Sequence, residues 1–325
     1  MGASITMVLL GAATSTSQLK LSSVGPLVAV AISFHLFAYL LNDFIDLPID
    51  RTDPRRATSP LVMGLISKRA VLVIALWQVP VLVLLVASQG GGTGRFMNLI
   101  VLVGAVAIYD LWGKKSPLPP LIDLIQGVAW AVLGWLGAVL VGSATKWTVV
   151  LAFYFLAFIM LGNGVHGSIR DLANDRGHGA RTTAALFGAG VADGGSVELG
   201  RGYRIYTLTL HAVTVMLPFV PFALGWYGGT NWWLVALMAA CCVTSTVYLG
   251  AAIPAGDRHR QLVFGTRHLI LVLAPLFVML GPRLPGWAMV LTVGCYVLPF
   301  ASYRWIFRPR PEQGEHWTVQ TPVAQ

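Results

Sequence analysis

The chain has 325 residues, 56% of them hydrophobic and only 11% charged, where a soluble domain carries about 25% charged residues, so an ordinary soluble protein is excluded; the mean hydropathy of +0.72 agrees. Three cysteines, two of them adjacent at Cys241 and Cys242, build neither a disulfide scaffold nor a zinc cluster. A net charge of +9 suits the basic loops of a membrane protein better than a nucleic-acid surface, and no nucleic-acid partner is expected.

A helix needs ~20 mostly apolar residues to cross a bilayer core. Ten segments are candidates: 2–16, 24–46, 69–88, 96–112, 120–142, 147–169, 204–225, 231–253, 263–281 and 286–306. The first is short and holds five Ser or Thr, and the ninth contains Arg267 and His268. The expectation is therefore an all-α, polytopic transmembrane bundle of nine or ten spans, a single domain over 1–325 with a polar tail at 307–325. The first 19 residues carry no Lys or Arg, so no cleaved signal peptide is expected. The loops after the second, fourth, sixth, eighth and tenth segments hold 18 of the 22 basic residues; Lys20, Arg95, Lys146 and Arg283 are the 4 on the other side. The positive-inside rule puts the 18-residue side in the cytosol.

Only 13 residues are Asp or Glu, and six of them fall in two short runs. The second segment ends in Asn42-Asp43-Phe44-Ile45-Asp46-Leu47-Pro48-Ile49-Asp50-Arg51-Thr52-Asp53, and the sixth ends in Arg170-Asp171-Leu172-Ala173-Asn174-Asp175-Arg176. On a helix, Asn42, Asp43, Asp46 and Asp50 share an arc of about 100°, and Asp171 and Asp175 lie one turn apart. Pro48 is expected to kink or end its helix. Carboxylates at the edge of an apolar span are costly and mark a functional site. Two stripes of hard oxygen ligands suit Mg²⁺ bridging a diphosphate. Arg51, Arg55, Arg56, Lys68, Lys114, Lys115, Arg170, Arg176 and Arg181 flank them, and such groups bind phosphate oxygens through charge-assisted hydrogen bonds.

The first run, continued through Arg55-Arg56-Ala57-Thr58-Ser59-Pro60-Leu61 to Gly64-Leu65-Ile66-Ser67, resembles the first aspartate-rich signature of the UbiA superfamily of intramembrane prenyltransferases. The second, continued through Gly179-Ala180-Arg181-Thr182-Thr183 to Gly188, resembles the second signature, and Tyr109 with Lys114-Lys115 resembles the family's Tyr-and-Lys loop, here spaced Tyr-x4-Lys where the family shows Tyr-x3-Lys. The likeness covers roughly residues 24–190. It implies an orthogonal helical bundle around a central cavity, Mg²⁺ as cofactor, and an isoprenyl diphosphate as donor to a small lipophilic or aromatic acceptor within the membrane. Carried over residue by residue, it implies Asn42, Asp43, Asp46, Asp50, Asp171 and Asp175 as metal ligands. Asn42, Arg51, Arg56, Tyr109, Lys114, Lys115 and Arg181 become contacts to the donor, and Asp46, Asp171 and Lys114 the groups that drive ionisation. The chain departs from the family in lacking a basic residue on the first helix and in carrying Ser59 before Pro60. The missing basic residue and the 11 tryptophans leave a second reading open: a terpene cyclase on the same scaffold, which needs no acceptor.

Phe34, Tyr39, Trp77, Trp112, Trp130, Trp135 and Phe153 are candidates for the electron-rich walls a carbocation requires. His166, one turn before Arg170, either meets the acceptor or is a satisfied helix-interface residue. Asp123 is read as pairing with Lys114. Gly127, Gly134 and Ala138 suit close helix packing, the three cysteines are packing residues, and 89–94 and 188–202 are Gly-rich loops.

Overall fold

Apolar helical periodicity dominates the chain, and a computed structural model, which describes residues 1–192, 197–229, 231–253 and 258–306, folds it into an all-helical bundle with one minimal hairpin. The helices are α1 (Gly2–Ala13), α2 (Leu21–Asp50), α3 (Lys68–Ser88), α4 (Thr93–Trp112), α5 (Pro119–Val141) and α6 (Lys146–Met160), the last running through a π-helical stretch, Leu161–Gly167, into α7 (Ser168–Gly177). There follow α8 (Thr183–Leu186), the antiparallel strands β1 (Gly190–Val191) and β2 (Val197–Glu198), α9 (Arg201–Met216), α10 (Val220–Ala223), α11 (Trp232–Ala252), α12 (Arg258–Val272), α13 (Ala274–Leu280) and α14 (Gly286–Ile306). The expected polar tail at 307–325 and the tip of the 188–202 loop at 193–196 lie outside the described residues.

Among the described residues, eight helical stretches are long and apolar enough to cross a membrane. The first and tenth predicted segments correspond to two shorter apolar helices, Gly2–Ala13 and Gly286–Pro299. At ~1.5 Å per residue α1 is roughly 18 Å long, short of a bilayer core of about 30 Å, and it is instead an inner element: Met7, Val8, Leu9, Leu10 and Ala12 are buried. It packs on α2, α5 and α14. The helices differ in what they face. The most apolar window is 56% buried in α5 but 22% in α3, whose exposed Ile74, Leu76, Trp77 and Leu84 form a lipid-facing surface.

Glycine sets the closest crossings. A Cβ on Gly11 would lie 1.9 Å from the Gly134 carbonyl oxygen, and one on Gly137 would lie 2.2 Å from that of Val8, so α1 and α5 meet backbone to backbone. Gly134 also admits the Phe155 ring, and Gly127 lies against the Leu156 backbone of α6. Of the small residues expected to pack the fifth span closely, Gly127 and Gly134 do so and Ala138 is buried, while the closest approach to α1 is at Gly137, which was not among them.

Pro48 does not end α2. The helix runs on to Asp50, and the Arg51 N–H still donates to the Leu47 carbonyl at 3.1 Å. Pro48 gives up the bond its own N–H would have made to the Phe44 carbonyl, but the bonds after it are kept, so Asp50 stays in register with Asp43 and Asp46.

At the end remote from the acidic runs, basic residues close helix termini. Arg283 donates to the Ala13 and Ser15 carbonyls at 3.0 and 3.2 Å, and Arg95 donates to Val139 at 2.9 Å and to the Gln89 carbonyl. These are orphan C-terminal carbonyls of α1, α5 and α3. The turn between α3 and α4 needs Gly90, Gly91 and Gly92, with φ of 92°, 55° and 102°.

Replacing Gly11 by Val is expected to cost at least the ~1–3 kcal/mol of ordinary overpacking, read as a lower unfolding temperature in detergent. Gly104→Ala on α4, where an added Cβ meets nothing within 4 Å, should be neutral or stabilising by up to ~1 kcal/mol. Equal midpoints for the two variants would contradict the α1–α5 crossing.

Candidate functional site

Four segments deliver the site to one end of the bundle: the C-terminal turns of α2, the end of α4 with the following turn, α7, and the loop after α2. Helical phase aims Asn42, Asp43, Asp46 and Asp50 together, as the spacing requires. The π stretch continues α6 into α7, so Asp171 and Asp175 stand on the same continuous helix as the sixth span. Three glycines, Gly162, Gly164 and Gly167, fall in that stretch. Gly164 is sterically required, since a Cβ there would lie 2.7 Å from Asp123 Oδ2.

Two cations, Lys114 and Arg55, join the two acidic runs. Lys114 Nζ lies 3.2 Å from Asp46 Oδ2 and 3.2 Å from Asp175 Oδ1. Asp175 is 4% exposed, and a buried carboxylate needs such a partner. The Asn42 amide donates to Asp46 Oδ2 at 3.3 Å and to Asp110 Oδ1 at 3.2 Å, tying α2 to α4. Arg56 lies 3.7 Å from Asp43 and 3.8 Å from Asp50. Arg55 reaches across to α7, donating to Asp171 Oδ1 at 2.8 Å and to the Arg170 carbonyl at 3.1 Å, while its Nε donates to Asp53 Oδ1 at 2.9 Å. Arg170 donates to both Asp171 oxygens, at 3.0 and 2.8 Å. Burial alone would raise the Asp53 carboxyl, but the hydrogen bonds from Arg55 and its charge outweigh that and hold it below the usual carboxylate range. The loops lock together as well: Thr52 Oγ1 donates to Asn174 Oδ1 at 3.2 Å, and the Arg181 N–H donates to the Lys114 carbonyl at 3.0 Å.

Of the expected site residues, Asn42, Asp43, Asp46, Asp50, Arg56, Lys114, Asp171 and Asp175 are thus gathered at one end of the bundle in an assembly of three ion-pair groups: Lys114 with Asp46 and Asp175, Arg56 with Asp43 and Asp50, and Arg55 and Arg170 with Asp171. Tyr109 is half-buried on α4, and Arg51, Lys115 and Arg181 are exposed around the network. Asp53, Arg55, Asp110 and Arg170 belong to it too; each sits within or beside a motif, but the cross-chain contacts that recruit them have no local sequence signal. Asp123 does not pair with Lys114. It is buried and accepts a hydrogen bond from Thr183, because α5 packs on α8 there. Among the aromatic candidates Phe34 and Trp130 form a buried edge-to-face pair at 5.1 Å, whereas Tyr39, Trp77, Trp112 and Phe153 are exposed.

Among the described residues no three His, Cys, Asp or Glu side chains are grouped as a ready-made metal cage. The donor chemistry still fits Mg²⁺, which takes one or two carboxylates and completes its shell with water and substrate phosphates. The ion pairs oppose six carboxylates (Asp43, Asp46, Asp50, Asp53, Asp171, Asp175) to four cations (Arg55, Arg56, Lys114, Arg170), leaving two surplus negative charges if all are ionised.

Removing the bridge alone should destabilise the fold. Lys114→Ala leaves Asp46 and Asp175 facing one another, at a cost of about 1–3 kcal/mol for a partly buried charged contact. Adding Asp175→Asn should restore part of it, a positive coupling measurable as a double-mutant cycle on detergent unfolding. Strict additivity would break the bridge.

No curated protein sequence matches the chain. Solved structures share the fold. An apo UbiA homologue from Aeropyrum pernix K1 matches at 18% identity and a TM-score of 0.58, over 92% of this chain and 97% of that one. A digeranylgeranylglyceryl phosphate synthase matches at 16% identity and a TM-score of 0.65, over 86% and 92%. A UbiA homologue from Archaeoglobus fulgidus bound to GPP and Mg²⁺ matches at 14% identity and a TM-score of 0.58, over 86% and 95%. The sequence profile of the UbiA prenyltransferase family matches residues 3–264, about four-fifths of the chain, and with both acidic runs in place the chain belongs to that family.

Proposed function

We propose that the protein transfers an isoprenyl group from an isoprenyl diphosphate to a small lipophilic or aromatic acceptor inside the membrane, with Mg²⁺ as cofactor. The observation that carries this reading is Lys114, held at 3.2 Å from one carboxylate of each acidic run. A lysine so placed exchanges its carboxylates for diphosphate oxygens when a donor arrives. The GPP and Mg²⁺ bound to the Archaeoglobus fulgidus homologue support the same donor class.

Asn42, Asp43, Asp46, Asp50, Asp171 and Asp175 would hold the metal, which supplies positive charge against the negative charge growing on the leaving diphosphate. Lys114 adds a charge-assisted contact that strengthens as the allylic C–O bond breaks. Arg56 lies between Asp43 and Asp50 and is placed to follow the same exchange. Arg51, Lys115 and Arg181, exposed around an acidic centre, attract the anionic donor to the mouth of the site, and Tyr109 sits on the α4 wall below Lys114. The buried Phe34–Trp130 pair offers aromatic faces to an allylic cation.

Asp46→Asn and Asp175→Asn should each abolish turnover of geranyl diphosphate in protein that still inserts, and EDTA should do the same to the wild type. Full activity in EDTA would end the metal-dependent reading. Lys114→Ala should lower kcat about tenfold to hundredfold, the equivalent of ~1.5–3 kcal/mol, without changing the product. Release of a cyclic hydrocarbon or terpene alcohol from geranyl diphosphate alone would replace the transferase with a cyclase.

Orientation follows the same charges. In a chain whose native cysteines are replaced, cysteines introduced at positions 53 and 178 should be protected from an impermeant thiol reagent outside intact cells. Labelling of either from outside would reverse the assignment of this face to the cytosol.

A further inference from the structure

One polar chain, buried at His211 and His268, half-buried at His166 and exposed at Thr246, is left unused by this chemistry. His166 Nε2 lies 2.8 Å from His268 Nδ1, His268 Nε2 lies 3.0 Å from His211 Nδ1, and His211 Nε2 lies 2.8 Å from Thr246 Oγ1. The three imidazoles come from the π stretch, α12 and α9, and the threonine from α11. Thr246 has one hydroxyl proton, and it is donated to the Cys242 carbonyl at 2.8 Å. Toward His211 the threonine therefore accepts, so His211 Nε2 carries the proton and Nδ1 does not. A neutral imidazole has one donor and one acceptor, so the constraint passes on. His268 donates from Nε2 and accepts at Nδ1, and His166 donates from Nε2. Among the described residues no carboxylate hydrogen-bonds to any of the three, and an unpaired charge in such a place is strongly disfavoured. The tautomers are thus fixed end to end, and His166 Nδ1 is left with a bare lone pair.

His166 lines a cavity of about 120 Å³ between the π stretch, α7, α9, α11 and α12, in the size range of an apolar cavity of roughly 150 Å³ that holds benzene. Gly265 stands at Nδ1, where an added Cβ would come within 2.6 Å. Two more polar groups of the lining have no partner: both amide atoms of Gln261, which is 5% exposed, and Oγ1 of Thr207, which is 1% exposed. Buried polar atoms without partners are rare and call for a ligand or water. The remaining wall is largely aliphatic, as at Val165, Leu249 and Leu262. The cation at its edge, Arg170, is already paired with Asp171, and among the described residues no carboxylate lines the cavity. Arg170 is also the link to the diphosphate site, since its guanidinium holds Asp171 one turn beyond His166.

We propose that this cavity is the acceptor site, and that it takes an uncharged, single-ring acceptor whose hydroxyl donates to His166 Nδ1 while Gln261 and Thr207 meet its remaining polar group. The proposal rests on the prenyl-transfer reading and adds the acceptor's chemical class to it. Among the described lining residues a carboxylated ring finds no unpaired cation, in keeping with the absence of a basic residue on α1.

Two probes of one ring size separate the hydroxyl from the ring: 4-fluorophenol and 4-fluoroanisole, followed by ¹⁹F NMR on the full chain in detergent. Wild type should bind the phenol roughly tenfold more tightly, the worth of about one buried hydrogen bond. Gly265→Ala, which caps Nδ1 with a methyl group, and His166→Phe, which removes it, should bring the two probes within about twofold of each other. Equal binding by wild type overturns the proposal without recourse to any variant, and so does an undiminished phenol preference in folded Gly265→Ala protein. Binding of geranyl diphosphate with magnesium, measured on the same wild-type sample, separates the two levels. If the diphosphate binds and the hydroxyl preference is absent, only the acceptor assignment falls; if the diphosphate does not bind, the prenyl-transfer reading falls with it.

Discussion

The functional end of the molecule depends on one ammonium group. Asp46 and Asp175 lie well over a hundred residues apart in sequence, on helices that have no other ionic link to one another, and Lys114 holds a carboxylate of each at 3.2 Å. Without it the C-termini of α2 and α7 would bring like charges together at low dielectric, where their repulsion is strong. Arg55 does the same for the neighbouring layer, fastening the loop after α2 to Asp171. The cations are therefore structural and poised at once: each neutralises an acid in the free protein, and each is a phosphate ligand by chemistry. Because the carboxylates outnumber the cations in this inner network, a diphosphate gains little from it unless further positive charge comes in. A divalent ion that prefers carboxylate and phosphate oxygens together meets that need.

The opposite end is built on a different principle. There, basic side chains are few and are spent on backbone carbonyls: Arg283 on the end of α1, Arg95 on the ends of α5 and α3. Lys146 lies over the Trp226 ring at 4.6 Å, a cation–π contact. The asymmetry of charge is thus also a division of labour, with caps on backbone carbonyls at one end and ion pairs with carboxylates at the other. Between the two faces the inner helices approach through glycine, which lets the short α1 lie against α5 without side chains between them. Packing of that kind needs no length, which is how a 12-residue helix holds an inner position in a membrane bundle.

Much of the site was legible in the sequence because helical phase is local. Three or four residues separate neighbours on one face, so Asn42, Asp43, Asp46 and Asp50 declare a stripe, and Asp171 and Asp175 declare another. The spans and the basic side follow from composition in the same way. What stayed hidden depends on contacts between elements. That Lys114 rather than Lys115 bridges the acids is set by the turn after α4, and that Asp123 meets Thr183 is set by where α8 packs. Pro48 breaks the sequence expectation because a proline removes only its own bond, and whether the chain goes on as helix is set by the bonds that follow it, such as Arg51 N–H to Leu47. The chain of His166, His268 and His211 spans three separate segments. Its only sequence signal is that histidines stand inside otherwise apolar helices, where an ionisable group marks function by default.

The two polar systems, read together, constrain one another. In the proposed reaction the acidic network works by exchange, its cations passing from carboxylate to phosphate, so it tolerates and requires charge. The histidine chain works by fixation, since every proton in it is assigned by the one proton of Thr246, and an ion placed beside it would be left without a counter-charge. The π stretch carries a member of each system, with His166 inside it and Arg170 just beyond. A widened turn re-aims the side chains that follow it relative to a regular helix, and Gly164 within it removes the Cβ atom that would crowd Asp123 of α5 and Tyr206 of α9. Local geometry in this seven-residue stretch therefore sets the angle between a charged site and an uncharged one. That is the arrangement a reaction needs when an anion leaves on one side and a neutral partner waits on the other.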